Sequence, residues 1–594
     1  MFTFVLFLKT MLFHWVTYHN VLLSSLWKAP MAFFAFWGGK ILPVLFLSGF
    51  VFISKCKYWT IVINILLDIW CIANLLYFKA NGFFLTFEML FMVDNMNGFW
   101  DSLRTYMGWD IVLFILITIL YIVIFVKLKF SNINQQKTPI GLMFLITSLI
   151  FISITNLLDQ YVELNAWKNR NDTTFGKWME KSTTIKIRYC FPFGNIPQSI
   201  AKNIWLDNFN WESNYISKKS IIAYFPAIFF YKLCSIQIIS PQKYSLSETE
   251  NDIIKEHLLN DNLFGGRQKH NSNLIYIIVE SLESWPLNMV NNILLMPNLN
   301  RLLQSNKVLY VENIISQVKH GNSADGQMIG LTGMLPISNG ATCRLYGKNN
   351  YPNFAHFYSN SAIINPSSGV WQQTTMTKSY EFQELIEPAS NERWNDMDVM
   401  KEVINYIFDV DSSFCVLGIT ITSHVPFIYG VENAVYKFDN MPQTMSAYLN
   451  CLHYTDSCIS VLIDSVQNSS LADNTTIVIT GDHTIFRDEN GFSDMTKYAQ
   501  DNDINFKAGH TFTPLIIYSP QIDENIHITD TCYQMDIFPT ILHLIGCEDY
   551  YWHGFGVNLL DSAARNNRQI SVEEAFILSD KMIRVNYFAT SIDK

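Results

Sequence analysis

The chain has 594 residues, a formal net charge of −10, and 15% charged against 49% hydrophobic residues. That length exceeds one ordinary core and predicts more than one domain. The acidic balance, with no Lys/Arg cluster against it, excludes nucleic acid as a partner, because a phosphate backbone demands a basic face. Ten cysteines are scattered without a CxxC pair, so zinc ribbons and thioredoxin-type redox sites find no support. Six of them, from Cys343 to Cys547, lie in the polar half and leave room for one or two disulfides if that half meets an oxidising space.

Up to about residue 158 the sequence is dominated by Phe, Leu, Ile and Trp with few charges. Windows at 3–25, 31–54, 59–78, 109–128 and 139–158 are long and apolar enough to cross a hydrocarbon layer of about 30 Å. The first is weakened by His14, Thr17, His19 and Asn20; a cleaved signal peptide is its alternative, but further spans follow and no small-residue cleavage site stands out. Lys55 and Lys57 follow the second span, and Lys127, Lys129 and Lys137 follow the fourth. The alternate loops are mixed, Glu88, Asp94 and Asp101 balancing Lys79 and Arg104. The positive-inside rule therefore puts the N-terminus inside and everything beyond residue 158 outside. Residues 82–107, apolar but interrupted by acids, suit an interfacial helix, and 220–238, with Pro226 and Lys232, suits a segment lying along the membrane. The expected organisation is a transmembrane domain at 1–158, a membrane-proximal helical linker at 159–270 and an extracytoplasmic catalytic domain at 271–594.

From Asn273 the pattern becomes that of a soluble α/β protein. NLIYIIVE is a continuous β-branched run of the kind a buried parallel strand requires, and it ends in Glu280. SFCVLGITITSH ends in His424, and NTTIVITGDH ends in Asp482 and His483. Helical segments near 395–408 and 443–466 separate these runs, which predicts an open, mostly parallel sheet with helices on both faces. Ligands of such sheets bind beyond the carboxyl ends of the strands. Oxygen and imidazole groups gathered there suit a divalent cation such as Zn²⁺ or Mn²⁺. Taken singly, each is also what a strand end meeting solvent would carry.

A fourth element is VKHGNSADGQMIGLTGMLP. Gly321 permits a tight turn, Ser323 falls at a helix N-cap position, and 324–334 continues as a helix. A hydroxyl there faces the positive end of a helix, where negative charge is favoured. Capping alone is the alternative role for Ser323. Asp536 in QMDIFPT is expected to cap the helix around 537–545. No P-loop, GxSxG or HExxH motif competes.

VESLES around Glu280, HGNSADGQ around Ser323, TSHVPF around His424 and TGDH around Asp482 together resemble the lipoteichoic acid synthase-like and phosphoethanolamine transferase branch of the sulfatase/alkaline phosphatase superfamily. The closing run YQMDIFPTILHLIGCEDYYWHGFGVNLL is similar to that superfamily's C-terminal signature. The resemblance implies a multi-pass protein of a bacterial-type cell membrane: an N-terminal transmembrane bundle of about five spans and a C-terminal alkaline phosphatase-like α/β domain. It makes Glu280, Asp482 and His483 metal ligands for one divalent ion (Mn²⁺ or Zn²⁺, with Mg²⁺ admissible). Ser323 then occupies the nucleophile position, touching the metal, and His424 contacts the substrate phosphate or leaving group. His320 and His510 are weaker candidates for the same pocket. The implied activity is transfer of a phosphoglycerol or phosphoethanolamine headgroup from a membrane phospholipid to an envelope glycan or lipid acceptor.

Ser323 is followed by Ala324, Asp325 and Gly326, so the C/S-x-P-x-R signal for formylglycine, which sulfate ester hydrolysis needs, is missing. The branch also carries a Trp-x-Arg motif whose Arg grips the phosphate or headgroup. Here Trp371 is kept and Gln373 stands where Arg would be, so a charged bidentate clamp is lost. Arg344 and Lys319 are the candidates to replace that charge. Two rival functions follow from the same residues: a phosphatase, phosphodiesterase or sulfatase-type hydrolase, and an inactive membrane sensor.

Overall fold

The computed structural model describes residues 1–18, 30–54, 56–81, 84–85, 106–127, 139–151, 216, 220–226, 246–258, 272–338, 340–389, 395–485, 498–499, 501–502, 504 and 512–589. Two compact units appear, one built from Met1–Phe87 and Leu103–Lys243, the other chiefly from Tyr244–Lys594. Most of the interfacial segment expected at 82–107, the greater part of 220–238 and most of the linker at 159–270 lie outside the described residues.

The first unit contains helices α1 (Phe2–Tyr18), α2 (Pro30–Ile53), α3 (Trp59–Asn81), α4 (Trp109–Lys127) and α5 (Pro139–Phe151). Each stands where an apolar window predicts a span. Among the described residues two of them, over Trp59–Lys79 and Trp109–Lys127, are long and apolar enough to cross a membrane; Phe2–Thr17, Gly39–Ile53 and Pro139–Phe151 are shorter apolar helices. Small residues let α2 and α5 approach closely, since a Cβ on Gly49 would stand 2.7 Å from the carbonyl oxygen of Gly141.

Buried charge ties α1, α3 and α4 together. Lys9 Nζ lies 2.7 Å from Asp68 Oδ1 and 2.5 Å from Thr118 Oγ1, and Thr118 in turn donates to Asp68. A charge in so apolar a setting persists because its partner is held in place. Lys9→Met strands the Asp68 carboxylate, and a loss of roughly 3 kcal/mol or more is expected. The check is thermal unfolding of the detergent-solubilised chain, with Lys9→Met/Asp68→Leu recovering part of the loss.

The second unit is built on an 8-stranded sheet of order β10-β4-β9-β8-β1-β7-β5-β6. Its strands are β1 (Asn273–Val279), β4 (Val308–Ile315), β5 (Asn360–Ile364), β6 (Glu384–Ile386), β7 (Phe414–Ile419), β8 (Thr475–Gly481), β9 (Thr513–Tyr518) and β10 (Ile526–Tyr533). A small hairpin pairs β2 (Met289–Val290) with β3 (Ile293–Leu294). In the large sheet β9 is antiparallel to both its neighbours, and the other described pairings are parallel. Every residue of β1, β8 and β9 is buried, as continuous apolar runs require of a sheet covered on both faces. The helices of this unit include α6 (Glu248–Glu256), α7 (Ser323–Thr332), α8 (Asp396–Asp409), which packs on β5 and β7, α9 (Gln443–Gln467), α10 (Ile537–Leu544) and α11 (Val572–Arg584).

The three strands singled out by their terminal residues lie side by side in the order β8-β1-β7. Register places Val279 against Gly481, so Glu280 and Asp482 leave the sheet as neighbours. The run toward His424 departs from expectation: β7 stops at Ile419, and His424 sits in the turns that follow. Asp396, at the start of α8, accepts the backbone N–H groups of Ile421 and Thr422 at 2.7 and 2.9 Å and so draws the chain out of the sheet.

The six cysteines of this unit are free and buried; Cys451 and Cys458 share α9, and the other four stand on separate elements or turns.

Candidate active site

Ser323 is the first residue of α7 and does not cap it, contrary to the sequence expectation. Asn322 holds the cap position with φ 41° and makes no side-chain cap bond. The turn is instead closed from inside the helix, where Asp325 Oδ2 accepts the backbone N–H groups of Lys319 and Gly321, both at 2.9 Å. Local sequence favours Ser as a cap, but the Asp325 carboxylate satisfies these donors and leaves the Ser323 hydroxyl for another role. The start of α7 is pressed against the loop after β8: a Cβ on Gly326 would meet the Asp482 carbonyl oxygen at 2.4 Å.

Glu280, Asp482 and His483 each offer one ligand atom, and these atoms lie within 4.8 Å of one another. His483 Nε2 is 3.6 Å from Glu280 Oε1 and 3.5 Å from Asp482 Oδ2. Ser323 Oγ donates to Glu280 Oε2 at 3.2 Å and stands 3.5 Å from His483 Nε2. The two carboxylates are buried. Burial, and then the charge of Asp482, push the Glu280 carboxyl well above the usual carboxylate range. A divalent cation removes that repulsion, so two buried acids, an imidazole and a hydroxyl at this spacing fit one. His483 Nδ1 faces the Thr484 carbonyl oxygen at 3.3 Å, which leaves the Nε2 lone pair turned to the cluster.

A surrounding shell orients these groups. Asp482 Oδ1 accepts from the backbone of Ser281 and His483 at 2.7 and 2.8 Å, and Ser281 Oγ donates to Glu280 Oε1 at 2.9 Å. Thr420 Oγ1 accepts the Glu280 N–H, while Ser423 Oγ donates to the Glu280 carbonyl oxygen. Gln534 Nε2 donates to the Asp482 carbonyl oxygen at 2.7 Å, and its Oε1 accepts from Gln317 N at 3.1 Å, joining the ligand loop to the loop that leads from β4 to Ser323. Left-handed backbone clusters at the site: Ser281, Asn322, Trp371, Gln372 and Phe427 all have positive φ. Strain of this kind persists where the surroundings over-determine it.

Ser323, Glu280 and His424 line one pocket with Gln327, Asn365, Trp371 and Gln373. Its walls also include Ile278, Val370, Ile419 and Ile421. His424 Nδ1 lies 2.6 Å from the Val425 carbonyl oxygen, which assigns the proton to Nδ1 and the lone pair to Nε2 in the neutral ring. The structure does not bring every candidate to this pocket. His320 is buried in the turn before Ser323 and does not line it. Arg344 sits on the short helix Thr342–Leu345, and Lys319 is buried with its ammonium 5.7 Å from the Phe576 ring centroid; neither lines the pocket. His510 lies outside the described residues. Asp536 stands at the N-cap position of α10 but makes no side-chain cap bond to that helix; its carboxylate instead accepts the Tyr533 N–H at 2.9 Å and pairs with both terminal nitrogens of Arg568.

The residues missed by sequence reasoning are Gln327, Asn365, Asp396 and Gln534. None belongs to a run or a spacing that marks it. Asp396 holds the loop that carries His424 and also accepts the Thr455 hydroxyl at 2.6 Å. Asp396→Ala leaves two buried N–H groups unpaired, so a loss of about 1–3 kcal/mol is expected. kcat/KM should fall about tenfold while metal affinity, set elsewhere, stays unchanged; thermal unfolding with a metal titration checks both.

A buried two-acid, one-imidazole cluster beside a helix-borne hydroxyl, at the carboxyl end of a mostly parallel sheet, defines an enzyme of the alkaline phosphatase type. Residues 272–547 match the sulfatase family model and residues 1–172 match that of the lipoteichoic acid synthase N-terminal domain. The chain thus carries a sulfatase domain behind a lipoteichoic acid synthase N-terminal domain. It is 21% identical to lipoteichoic acid synthase 2 of Bacillus subtilis, over 86% of this chain and 76% of that protein. It is 23% identical to the lipoteichoic acid synthase of Staphylococcus saprophyticus, over 87% and 77%. Among solved structures, the lipoteichoic acid synthase LtaP from Listeria monocytogenes is similar with a TM-score of 0.46 at 18% identity, over 57% of this chain and 98% of that one. The Streptococcus pyogenes phosphoglycerol transferase GacH gives a TM-score of 0.38 at 16% identity, over 60% and 92%.

Proposed function

We propose that this sulfatase-superfamily phosphotransferase moves a phospho-headgroup of the phosphoglycerol type from a membrane lipid to an envelope glycan or lipid acceptor, through a covalent adduct on Ser323. The observation that carries the reading is the Ser323 hydroxyl set 3.2 Å from Glu280 and 3.5 Å from His483, against the one metal-ligand cluster found among the described residues. Glu280, Asp482, His483 and Ser323 would hold a divalent ion, Mn²⁺ or Zn²⁺ with Mg²⁺ admissible. When bound, it supplies positive charge that favours the ionised serine and the developing charge on phosphorus oxygens.

The protein's own groups then do the following. Ser323 Oγ attacks the phosphorus of a headgroup diester, and the bond to the diacylglycerol oxygen breaks; the serine proton ends on that leaving oxygen, by way of His424. An acceptor hydroxyl next attacks the phosphoserine, giving its proton back to Ser323 along the same route. The apolar wall of the pocket excludes water from the adduct. Trp371 and Gln373 hold the headgroup.

In the membrane half we read five spans over 1–158, with the two helices long and apolar enough to cross a membrane joined by the three other apolar ones, then a linker at 159–270 and an extracytoplasmic catalytic domain at 271–594. Lys55, Lys57, Lys127, Lys129 and Lys137 on alternate loops support that orientation. Anchoring keeps the site near its lipid donor and raises the donor's effective concentration.

Mass spectrometry of Ser323 after incubation with vesicles of anionic phospholipid tests the reading. The expected result is a headgroup-phosphate adduct, its mass naming the headgroup, that disappears when acceptor is added. Release of the headgroup to water at the same rate with and without acceptor would replace transfer by hydrolysis. An unlabelled Ser323 in a turning-over enzyme would overturn the nucleophile.

A further inference from the structure

The imidazole of His483 is aimed at the cluster through a peptide group. Its Nε2 is the atom turned toward Glu280 and Asp482, and its Nδ1 faces the Thr484 carbonyl oxygen at 3.3 Å. That carbonyl belongs to the peptide joining Thr484 to Ile485. The N–H on the opposite side of the same peptide plane, Ile485 N, donates to Glu283 Oε1 at 2.8 Å. The groups therefore form a line from the Glu283 carboxylate through one peptide and the imidazole to the cluster.

Glu283 lies in the loop that follows β1, three residues beyond Glu280, and is fully buried. Its second oxygen, Oε2, accepts the indole N–H of Trp285 at 2.7 Å. Both of these partners only donate, which is what an ionised acid takes. The loop is pinned on either side of Glu283. Ser281 N donates to Asp482 Oδ1 at 2.7 Å, the Ser281 carbonyl oxygen accepts the Tyr448 hydroxyl at 2.8 Å, and Ser284 N donates to the Phe512 carbonyl oxygen at 2.7 Å. The two ligand-bearing loops are thus tied twice, Asp482 to Ser281 and Ile485 to Glu283, with His483 between the ties. For a tie alone a neutral acceptor would serve; a buried carboxylate is costly there and calls for a use of its charge.

We propose that Glu283 is a positioning residue for His483, acting through the Thr484–Ile485 peptide to fix the imidazole and raise its basicity toward the divalent ion. This rests on the reading of Glu280, Asp482 and His483 as the ligands. An anion at the N–H of an amide polarises it and draws electron density onto its carbonyl oxygen. The Thr484 oxygen then holds the Nδ1 proton more firmly. That keeps the tautomer with a free Nε2 lone pair and makes Nε2 the better donor to a cation. Metal-bound histidines are commonly backed by a carboxylate or a carbonyl that touches the ring directly; here the two act in series. Losing such outer support costs about 10–100-fold in metal affinity.

The test is calorimetric titration of the metal-free full chain in detergent with Mn²⁺ and with Zn²⁺, beside its metal-free melting curve. Glu283→Gln keeps an acceptor for Ile485 N and removes the charge, and affinity is expected to fall about tenfold or more. Trp285→Phe removes the other bond of the same carboxylate and leaves the line to His483 intact. It should lower the melting point with affinity unchanged. Glu283→Gln/Trp285→Phe spares the amide a clash with the indole N–H, and carries the comparison if Glu283→Gln alone does not fold. Its affinity should lie about tenfold below that of Trp285→Phe. Charge-removing variants that melt lower yet bind both ions as tightly as the parent would reduce Glu283 to a structural tie and overturn the proposal. An equal loss of affinity in Trp285→Phe would do the same. A parent that binds neither ion, or whose affinity is untouched by His483→Ala, would overturn the ligand set itself and the role of Glu283 with it.

Discussion

Replacing Ser323 by alanine is expected to lower headgroup transfer about 10³-fold or more and to abolish the covalent adduct. The hydroxyl is the atom that forms the new bond to phosphorus, and no other hydroxyl among the described residues touches the Glu280–His483 pair as Ser323 does. Activity that survives removal of a covalent nucleophile comes from the remaining positioned groups and is small. Ser323→Thr keeps the hydroxyl at the first position of α7 and should retain measurable transfer. The fold should tolerate both changes, because Ser323 does not cap the helix: Asp325 closes that turn. Release of labelled headgroup from vesicles, followed beside thermal unfolding, separates the two effects. Alanine protein that transfers at close to the native rate, with an unaltered melting curve, sinks the assignment.

Chelation of divalent cations should remove activity and lower the melting temperature of the catalytic unit, with both restored on adding Mn²⁺ or Zn²⁺. A ligand at one hundred times its dissociation constant stabilises the native state by about 2.7 kcal/mol, and a loss of that size moves the melting point by several degrees. Asp482→Asn should reproduce the chelated state, since Asp482 presents one oxygen to the cluster while the other is held by Ser281 N and His483 N. The pH dependence has a definite sign. Burial and then the charge of Asp482 raise Glu280 above the ordinary carboxylate range, so the metal-free fold takes up a proton more readily than the unfolded chain. That contribution to stability is full below the ordinary carboxylate range and is lost as pH rises through the raised value. Added metal competes with the same proton, so its stabilising effect should grow with pH over that window. Melting curves with chelator and with metal, taken across the acid range, should therefore diverge as pH rises; parallel curves would place the ion elsewhere.

Much of the metal cluster was legible in the sequence because its ligands sit at the ends of buried parallel strands. Such strands read as unbroken β-branched runs, so the Glu280 and Asp482–His483 positions announce themselves as polar groups at a strand's exit. His424 was legible by residue type and not by place, for β7 ends at Ile419 and the Asp396 carboxylate bends the chain that carries it. Ser323 was found by its helix, yet its expected capping role belongs to Asp325, whose reach back to Lys319 and Gly321 is a feature of the folded turn. His320, Arg344 and Lys319 drew notice as charges and metal-binding types near the motif. Proximity in sequence does not set which way a turn faces, and none of the three lines the pocket. Gln373 was marked by its place two residues after Trp371, whereas Gln327 carried no signal, because no run or spacing distinguishes an amide inside a helix.

By itself the sequence determined the division into an apolar half and an α/β half, the runs that become β1, β7 and β8, and the residue types at their ends. These are consequences of hydrophobic burial and local backbone preference, which act over a few residues at a time. Only the tertiary structure decided that β8, β1 and β7 are neighbours, with Val279 in register with Gly481. Pairing between strands some two hundred residues apart is chosen by crossover connections, and by how helices pack over the sheet, and no short stretch of chain encodes it. The same pairing brings the Ser281 N–H to the Asp482 carboxylate and sets two acids together where each alone would be an ordinary strand end.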